Sequence, residues 1–273
     1  FSWMPQSNRL YYTRKGLQGK ELVTVDPVTK AETILSQNLP DGWFSIAPTE
    51  DFLIFTISEK GPEKDKDMEE ILVPDDRQPG WRNRSFLHKY DLATGVLERL
   101  TYGHNSTSLN DISKDGRYLL FTSSRRELTK RPFSTKILYR MDLQNRQVDT
   151  LLEDPFINYA SFSPDGKQLA VSGSGEAFNK IGLNIAPGQT SNLADGQLFI
   201  YDLSNKQATA VSKDFNPSIQ SFTWNTGDKQ IYLQGEDKDC VRLYTLNPAN
   251  RKISPVPLKE DILSDFTIAE NAP

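Results

Sequence analysis

The chain of 273 residues is long enough to bury a substantial core, and 37% of its residues are hydrophobic. Its formal net charge of −4 argues against nucleic acid as the main partner, because phosphate binding depends on clustered positive charge. No run of 18 or more apolar residues is present, which predicts no membrane-spanning helix, and the single cysteine, Cys240, excludes an internal disulfide.

A hairpin pattern recurs along the chain. Each copy has a bulky apolar anchor, a polar turn and an apolar triplet seven to nine positions after the anchor. The copies are "SWMPQSNRLYY" (2–12), "SIAPTEDFLIF" (45–55), "DISKDGRYLLF" (111–121), "SFSPDGKQLAV" (161–171) and "TWNTGDKQIYL" (223–233), with the anchors Trp3, Ile46, Ile112, Phe162 and Trp224. Gly116 and Gly166 suit the turns, because glycine accepts a positive φ without a Cβ clash.

A second pattern follows every hairpin: an alternating apolar strand, a polar turn and one more strand. It reads "LVTVDPVTKAETIL", "FLHKYDLATGVLERL", "ILYRMDLQNRQVDTLL", "LFIYDLSNKQATAV" and "VRLYTLNPANRKISPV". The turn Asp is expected to accept hydrogen bonds from backbone N–H groups one or two residues on, which would fix the bend. Each repeat is therefore predicted to form four short antiparallel strands.

The spacing of the anchors indicates the architecture. Successive anchors are 43, 66, 50 and 62 residues apart. Four strands in each repeat of about 40 to 50 residues are typical of a β-propeller blade. An ordinary β-sandwich also has many short strands, but it would not return to the same order of anchor, turn and Asp five times. We predict an all-β fold, a β-propeller of about five four-stranded blades over residues 1–273, with repeats starting near 3, 46, 112, 162 and 224.

A partial repeat is expected from Ile268, because "FTIAENAP" follows the start of "FSIAPTED" almost residue for residue. A half-built blade would expose a strand edge. Either the chain is a segment of a larger propeller, which we favour, or the terminal strand closes a five-bladed ring beside another blade. An exposed edge would also offer a pairing site to a second copy, so a homo-oligomer stays open.

Three long connections are predicted between the second and third strands of repeats, at 58–84, 123–136 and 172–196. Equivalent connections are expected to emerge on one face of the propeller, where loops on a rigid scaffold commonly bind ligands. In the first connection, residues 64–72 would suit a short helix carrying Glu69 and Glu70. Trp81 lies near the end of the connection. A solvated charged loop is the alternative.

The other two connections have different chemistry. The second, "SSRRELTKRPFSTK", is basic and includes Arg125 and Arg126. It would be a solvated edge, or a surface that meets acidic groups of a partner domain. The third, "SGSGEAFNKIGLNIAPGQTSNLADGQ", is rich in Gly and Asn and places Glu176 beside Phe178. Turn chemistry accounts for its glycines but not for "EAF".

Motifs for catalysis are absent from the sequence. There is no G-x-S-x-G elbow, phosphate loop, dinucleotide fingerprint or H-E-x-x-H motif. The two histidines, His88 and His104, lie in different contexts and make neither a zinc site nor a triad. We therefore expect no catalytic residue, no metal site and no cofactor in this chain.

The repeated "SPDG.QLAV" hairpin, the "YDL" turn and the run "EKDKDMEEILVPDDRQPGWRNRSFLHKYDL" resemble the propeller of bacterial prolyl oligopeptidase and dipeptidyl peptidase IV type serine peptidases. In that family the propeller caps a separate α/β-hydrolase domain and restricts access to small, flexible peptides. The resemblance implies a non-catalytic propeller portion of an exported, periplasmic or secreted exopeptidase, with the nucleophile downstream of Pro273.

The resemblance also suggests substrate-binding residues. The dipeptidyl peptidase branch holds the free amino terminus of the substrate with a pair of glutamates from a propeller insertion. Glu69 and Glu70 are the adjacent pair here, although their flanks "KDM" and "ILV" lack the aromatic residues seen around the family's pair, and Glu176 is a second candidate. The substrate-binding candidates are Glu69, Glu70, Glu176, Arg125, Arg126 and Trp81. The competing hypothesis is a stand-alone TolB-like propeller that binds a protein partner or the cell envelope.

Overall fold

The computed structural model describes residues 1–62, 68 and 70–268 of the chain. Nearly all of the regular structure in the described residues is β-strand, with one 3₁₀ turn at Pro74–Arg77 and one short turn, α1 (Ala177–Lys180), in which Phe178 and Asn179 have non-helical backbone angles. In the described part of the chain, no helix is both long and apolar enough to cross a membrane.

In the part of the chain that the structure describes, twenty strands form five antiparallel sheets of four strands each, and the strands of each sheet are consecutive in the chain. The first sheet holds β1 (Ser2–Trp3), β2 (Leu10–Gly16), β3 (Gly19–Val25) and β4 (Glu32–Leu39). The second holds β5 (Trp43–Ile46), β6 (Phe52–Glu59), β7 (Arg84–Asp91) and β8 (Leu97–Arg99). The third holds β9 (Thr107–Ile112), β10 (Tyr118–Arg126), β11 (Ser134–Asp142) and β12 (Val148–Asp154).

The fourth sheet holds β13 (Ile157–Phe162), β14 (Gln168–Ser174), β15 (Gly196–Asp202) and β16 (Ala208–Ala210). The fifth holds β17 (Ser218–Trp224), β18 (Ile231–Asp237), β19 (Cys240–Asn247) and β20 (Lys252–Pro255). Each sequence anchor is the last residue of the first strand of its sheet, and each apolar triplet lies in the second strand. The predicted all-β class and the five four-stranded sheets are confirmed.

The hairpins between first and second strands are fixed by the residues of their turns. In the third sheet the Ser113 hydroxyl donates to Asp115 Oδ1 at 2.6 Å and accepts from the Tyr118 backbone N–H at 2.7 Å. Ser163 makes the same two contacts in the fourth sheet. The turn glycine has a φ of 70° at Gly116 and 68° at Gly166, values that favour glycine.

The turns between third and fourth strands repeat one geometry in all five sheets. In the fourth sheet, Asp202 Oδ1 accepts from the backbone N–H groups of Ser204 and Asn205, and the Lys206 N–H donates to the Asp202 carbonyl. The capping residues of the five turns are Asp26, Asp91, Asp142, Asp202 and Asn247. The side-chain bonds reach two or three residues on, one further than the sequence predicts. In every one of these turns the residue four positions after the cap is left-handed.

The chain divides into two compact units, Phe1–Leu109 with Phe121–Ser124 and Asn110–Leu120 with Arg125–Pro273. The first unit buries a core of Leu22, Leu39, Leu53, Phe55 and Tyr90. In the second unit, β15 is buried on both faces. Phe199 and Tyr201 join one hydrophobic cluster, and Leu198 and Ile200 join another. Because successive side chains of a strand point to opposite faces, this double burial explains the continuous apolar run "LFIY".

The connections between second and third strands vary in length, as the sequence predicts. They span 17–18 and 238–239 in the first and fifth sheets but 60–83, 127–133 and 175–195 in the others. The connection in the third sheet, 127–133, is shorter than the predicted 123–136, because β10 extends through Arg126 and β11 starts at Ser134. Arg125 and Arg126 therefore lie on a strand.

The segment after β20 carries little regular structure. Val241 forms a parallel bridge with Ile262, and residues 263–268 lie in no strand. Ile268 is the last residue that the structure describes. The predicted partial repeat from Ile268 would continue into residues outside the described part, and it stays a prediction.

Candidate functional site

The connection at 175–195 in the fourth sheet contains the least ordinary backbone of the second unit. Phe178, Asn179 and Lys180 have successive φ values of 53°, 58° and 70°. Left-handed backbone costs roughly 1 kcal/mol for each residue other than glycine. The turn is held by a 2.7 Å hydrogen bond from the Phe178 N–H to Asp154 Oδ2 and by the Phe178 ring, which stacks on Tyr201 with centroids 6.0 Å apart. Strained backbone of this kind is common at functional sites.

Glu176 lies at the start of this turn. Its carboxylate accepts a hydrogen bond from the Ser191 hydroxyl, and its Oε2 lies 3.4 Å from Lys180 Nζ. The Glu176 side chain is only 13% exposed, whereas that of Lys180 is 67% exposed. The Ser191 hydrogen bond, more than the Lys180 charge, lowers the pKa of Glu176 below its ordinary value. Glu176 is therefore an ionised carboxylate at neutral pH, already bound to two groups of its own connection.

A cavity of about 140 Å³ lies beside Glu176, and Ser191 is in its wall. The cavity is lined by residues of the 175–195 connection, the start of β15 and the turn at 213–216. Burial raises the pKa of Asp195 in this wall, although a hydrogen bond from the Gln197 amide partly opposes the rise. Asp214, which is exposed, also lines the cavity, and its Oδ1 accepts from Asn184 Nδ2 at 3.3 Å.

The candidates of the first long connection belong to the other unit. Glu69, and most of the helix allowed at 64–72, lie outside the described residues. Glu70 is exposed and in no helix or strand, and the half-buried Trp81 accepts a hydrogen bond at its carbonyl from Arg84 Nη1 at 2.9 Å. The centre of this connection is Asp76, which binds Arg82 through both oxygens at 2.9 and 2.7 Å.

The basic candidates on β10 also have defined surroundings. Arg125 pairs with Glu153 at 2.9 Å and with Glu127 at 3.3 Å. Arg126 is exposed on the same strand. Arg125 binds Glu127 and Glu153, whereas Glu176 binds Ser191 and Lys180. Among the described residues, these two candidates therefore have different ion-pair partners.

Sequence reasoning missed the acidic cavity. Asp195 lies in the third long connection, but nothing in "NLADGQ" distinguishes it from an ordinary turn residue. Asp214 comes from "SKDFNPS", and only the fold brings it to the same cavity as Asp195. Within the described residues, no three His, Cys, Asp or Glu side chains cluster as a metal site would require.

A curated relative shares part of the sequence. The chain is 25% identical over 163 residues to a probable dipeptidyl-peptidase 5 of Aspergillus terreus, a match that covers 55% of this chain. The chain spans about a fifth of that protein's length, since the match covers 20% of it. No family model matches the chain.

Solved structures share the fold. The acylaminoacyl peptidase of Pyrococcus horikoshii superposes with a TM-score of 0.68 at 14% identity over 97% of this chain and 39% of its own. The propeller domain of the Trilobed protease of Pyrococcus furiosus superposes with a TM-score of 0.60 at 15% identity, over 97% of this chain and 70% of its own. TolB of Acinetobacter baumannii superposes with a TM-score of 0.55 at 17% identity, over 95% of this chain and 54% of its own. At these identities the similarity establishes the fold, a β-propeller of five four-stranded blades. The resemblance to peptidase propellers is confirmed.

Proposed function

We propose that the chain is the non-catalytic propeller portion of an exported serine exopeptidase of the prolyl oligopeptidase or dipeptidyl peptidase type. Its role would be to gate and orient peptides for a separate α/β-hydrolase domain. The observation that carries this proposal is the sequence similarity to a dipeptidyl-peptidase, which covers only a fifth of that protein. The peptidase propellers among the structural neighbours support it.

The three glutamate candidates receive distinct tests under this proposal. The attraction between a carboxylate and the substrate's free amino terminus is much stronger in a partly desolvated pocket than in bulk water. Glu176 has the buried setting for this role, whereas Glu70 is exposed. Glu176 would have to exchange its bond with Lys180 for the substrate's ammonium group.

Hydrolysis of dipeptidyl-proline p-nitroanilide tests both points. We expect no turnover by the 273-residue chain and measurable turnover by the complete protein. In the complete protein, replacing the amine-binding glutamate by glutamine should raise KM about tenfold or more for a substrate with a free amino terminus, because a charge-assisted hydrogen bond is lost. The variants are Glu69→Gln, Glu70→Gln and Glu176→Gln, with the exposed Glu260→Gln as control.

Two results would count against the proposal. Turnover by the 273-residue chain would mean that a nucleophile lies within it. An equal KM increase for the N-acetylated form of the substrate would mean that the glutamate does not bind the amino terminus.

A second candidate function is a stand-alone TolB-like propeller that binds a protein partner or the cell envelope. Its support is the similarity to TolB over 95% of this chain. Both candidates imply an exported protein in the periplasm or outside the cell, which fractionation of the source cells would test. They differ in the gene: a hydrolase domain encoded after residue 273 supports the peptidase, and a stop codon there supports the TolB-like protein.

A further inference from the structure

We propose that Lys180 is a placeholder on Glu176, a tethered ammonium group that the amino terminus of a peptide displaces. The proposal rests on the proposed function of Glu176 as the amine-binding residue, and it adds a second residue that regulates access to that carboxylate. A blocked amino terminus carries no charge and cannot take the place of an ammonium group. The exchange therefore selects peptides whose amino terminus is free.

The two oxygens of the Glu176 carboxylate have different partners. The Ser191 hydroxyl donates to Oε1, and Lys180 Nζ lies 3.4 Å from Oε2. Within the part of the chain that the structure describes, the Lys180 ammonium contacts no other charged group. Its side chain is 67% exposed, whereas that of Glu176 is 13% exposed. The ammonium can therefore move into solvent and be hydrated there, while the Ser191 bond still orients the carboxylate.

The contact between Lys180 and Glu176 is not a by-product of a regular helix. In an α-helix, side chains four residues apart meet on one face. Two residues of the turn α1 have non-helical backbone angles, yet the Lys180 N–H donates to the Glu176 carbonyl at 3.0 Å. The left-handed turn is held from outside by the 2.7 Å bond from the Phe178 N–H to Asp154 Oδ2. The fold thus keeps Lys180 beside the carboxylate in spite of the strain of a left-handed backbone.

Exchange of one ammonium group for another keeps the carboxylate paired throughout. A buried carboxylate that loses its only counter-charge is strongly unfavourable, so an empty site without Lys180 would be less stable. The ion pair itself is weak, because the lysine is mostly exposed to water. A ligand that binds only the open form loses affinity in proportion to the closed fraction. Lys180 should therefore weaken the binding of an amino terminus about three- to fivefold.

The test is an NMR titration of the ¹⁵N-labelled 273-residue chain with glycyl-prolinamide and with its N-acetyl form. We expect the free-amino form to bind and to shift the signals of Glu176, Lys180 and Ser191. Lys180→Met should bind it about three- to fivefold more tightly, because the competing charge is gone. Lys180→Arg should keep the weaker binding, since arginine retains the charge. Lys238→Met is the matched control and should change nothing, because Lys238 is also an exposed lysine with a left-handed φ, 59°.

The double variant of Glu176→Gln with Lys180→Met separates the placeholder from a structural role. Glu176→Gln should weaken binding about tenfold, through loss of a charge-assisted hydrogen bond. Adding Lys180→Met should then give no gain, because no carboxylate is left to release. If Lys180→Met fails to fold, Lys180→Gln removes the same charge.

Three results would overturn the proposal: Lys180→Met binding no more tightly than the unaltered chain, an equal gain for the N-acetyl form, or no binding by any variant. The titration does not depend on turnover. Tighter binding by Lys180→Met in a complete protein without peptidase activity would reject the proposed function and support the ammonium exchange.

Discussion

Two connections in each sheet of this protein behave in opposite ways. The turn between third and fourth strands has one geometry in all five sheets, with a capping Asp or Asn and a left-handed residue four positions on. The connection between second and third strands varies in length: it spans only residues 17–18 in the first sheet but residues 60–83 in the second and 175–195 in the fourth. A repeated turn is fixed by its own hydrogen bonds, whereas doubling a loop's length costs only about 0.6 kcal/mol. The turns fixed by local hydrogen bonds are therefore uniform. The candidate site lies in a connection between second and third strands, where the loop length can vary at little cost.

The strongest test of this contrast compares two aromatic residues in contact. Phe199 on β15 is fully buried, and Phe178 in the 175–195 connection packs on it with ring centroids 5.1 Å apart. Phe199→Ala should reduce the free energy of unfolding by about 3–5 kcal/mol, because it leaves a cavity in the core. Phe178→Ala should cost about 1–2 kcal/mol, since the ring is only partly buried. Urea unfolding measures both, and equal losses would refute the division between scaffold and insertion.

Replacing a capping residue of the repeated turns should have the next largest effect on the free energy of unfolding. Asp202→Ala removes the acceptor of two backbone N–H groups and should cost about 1 kcal/mol. Asp202→Asn should be nearly neutral, because Asn247 fills the same position in the fifth sheet. Chemical denaturation compares the two variants. If they lose the same stability, the side-chain oxygen is not what fixes the turn.

The left-handed residue of the turn gives a smaller, stabilising effect. Gly95 occupies this position in the second sheet with a φ of 71°, whereas Lys206 occupies it in the fourth with a φ of 58°. Lys206→Gly should stabilise the protein by about 0.5 kcal/mol, since relief of the left-handed strain exceeds the entropy cost of glycine. Gly95→Ala, the reverse change, should destabilise it. Thermal melting detects both, and destabilisation by Lys206→Gly would contradict the shared geometry.

Carboxyl groups in the two kinds of connection should respond to pH with opposite signs. Hydrogen bonds from Ser204 and its neighbours lower the pKa of Asp202, so its stabilising contribution is present above the unfolded-state pKa of about 3.9 and lost as pH falls through the lower folded-state pKa. Burial raises the pKa of Asp195, so its ionisation destabilises the fold above that raised pKa and not below about pH 3.9.

Asp195→Asn should consequently stabilise the chain slightly at pH 7 and leave its stability unchanged near pH 3. Urea unfolding of the variant and the unaltered chain at several pH values measures this difference. A loss of stability at pH 7 would mean that the Asp195 carboxylate has a partner that compensates for its burial.

The fold could be predicted from the sequence because the same local pattern recurs in every repeat. Anchors such as Phe162, the turn Asp202 and the apolar triplets encode local hydrogen bonds and alternating burial, which a linear pattern displays. The candidate site was predicted less completely. Glu176 was found from its unusual context, but the three left-handed residues after it depend on Asp154 and on packing against β15. The cavity joins Asp195 to Asp214 through tertiary structure, which no local pattern records.

The most direct test of the account labels the complete protein with a fluorophosphonate, which reacts with the active serine of a serine peptidase, and locates the labelled residue by peptide mass spectrometry. We expect one labelled serine outside residues 1–273, in a G-x-S-x-G sequence, and no label on the propeller. A labelled serine within residues 1–273 would contradict the non-catalytic role. Absence of any label would contradict the serine peptidase assignment.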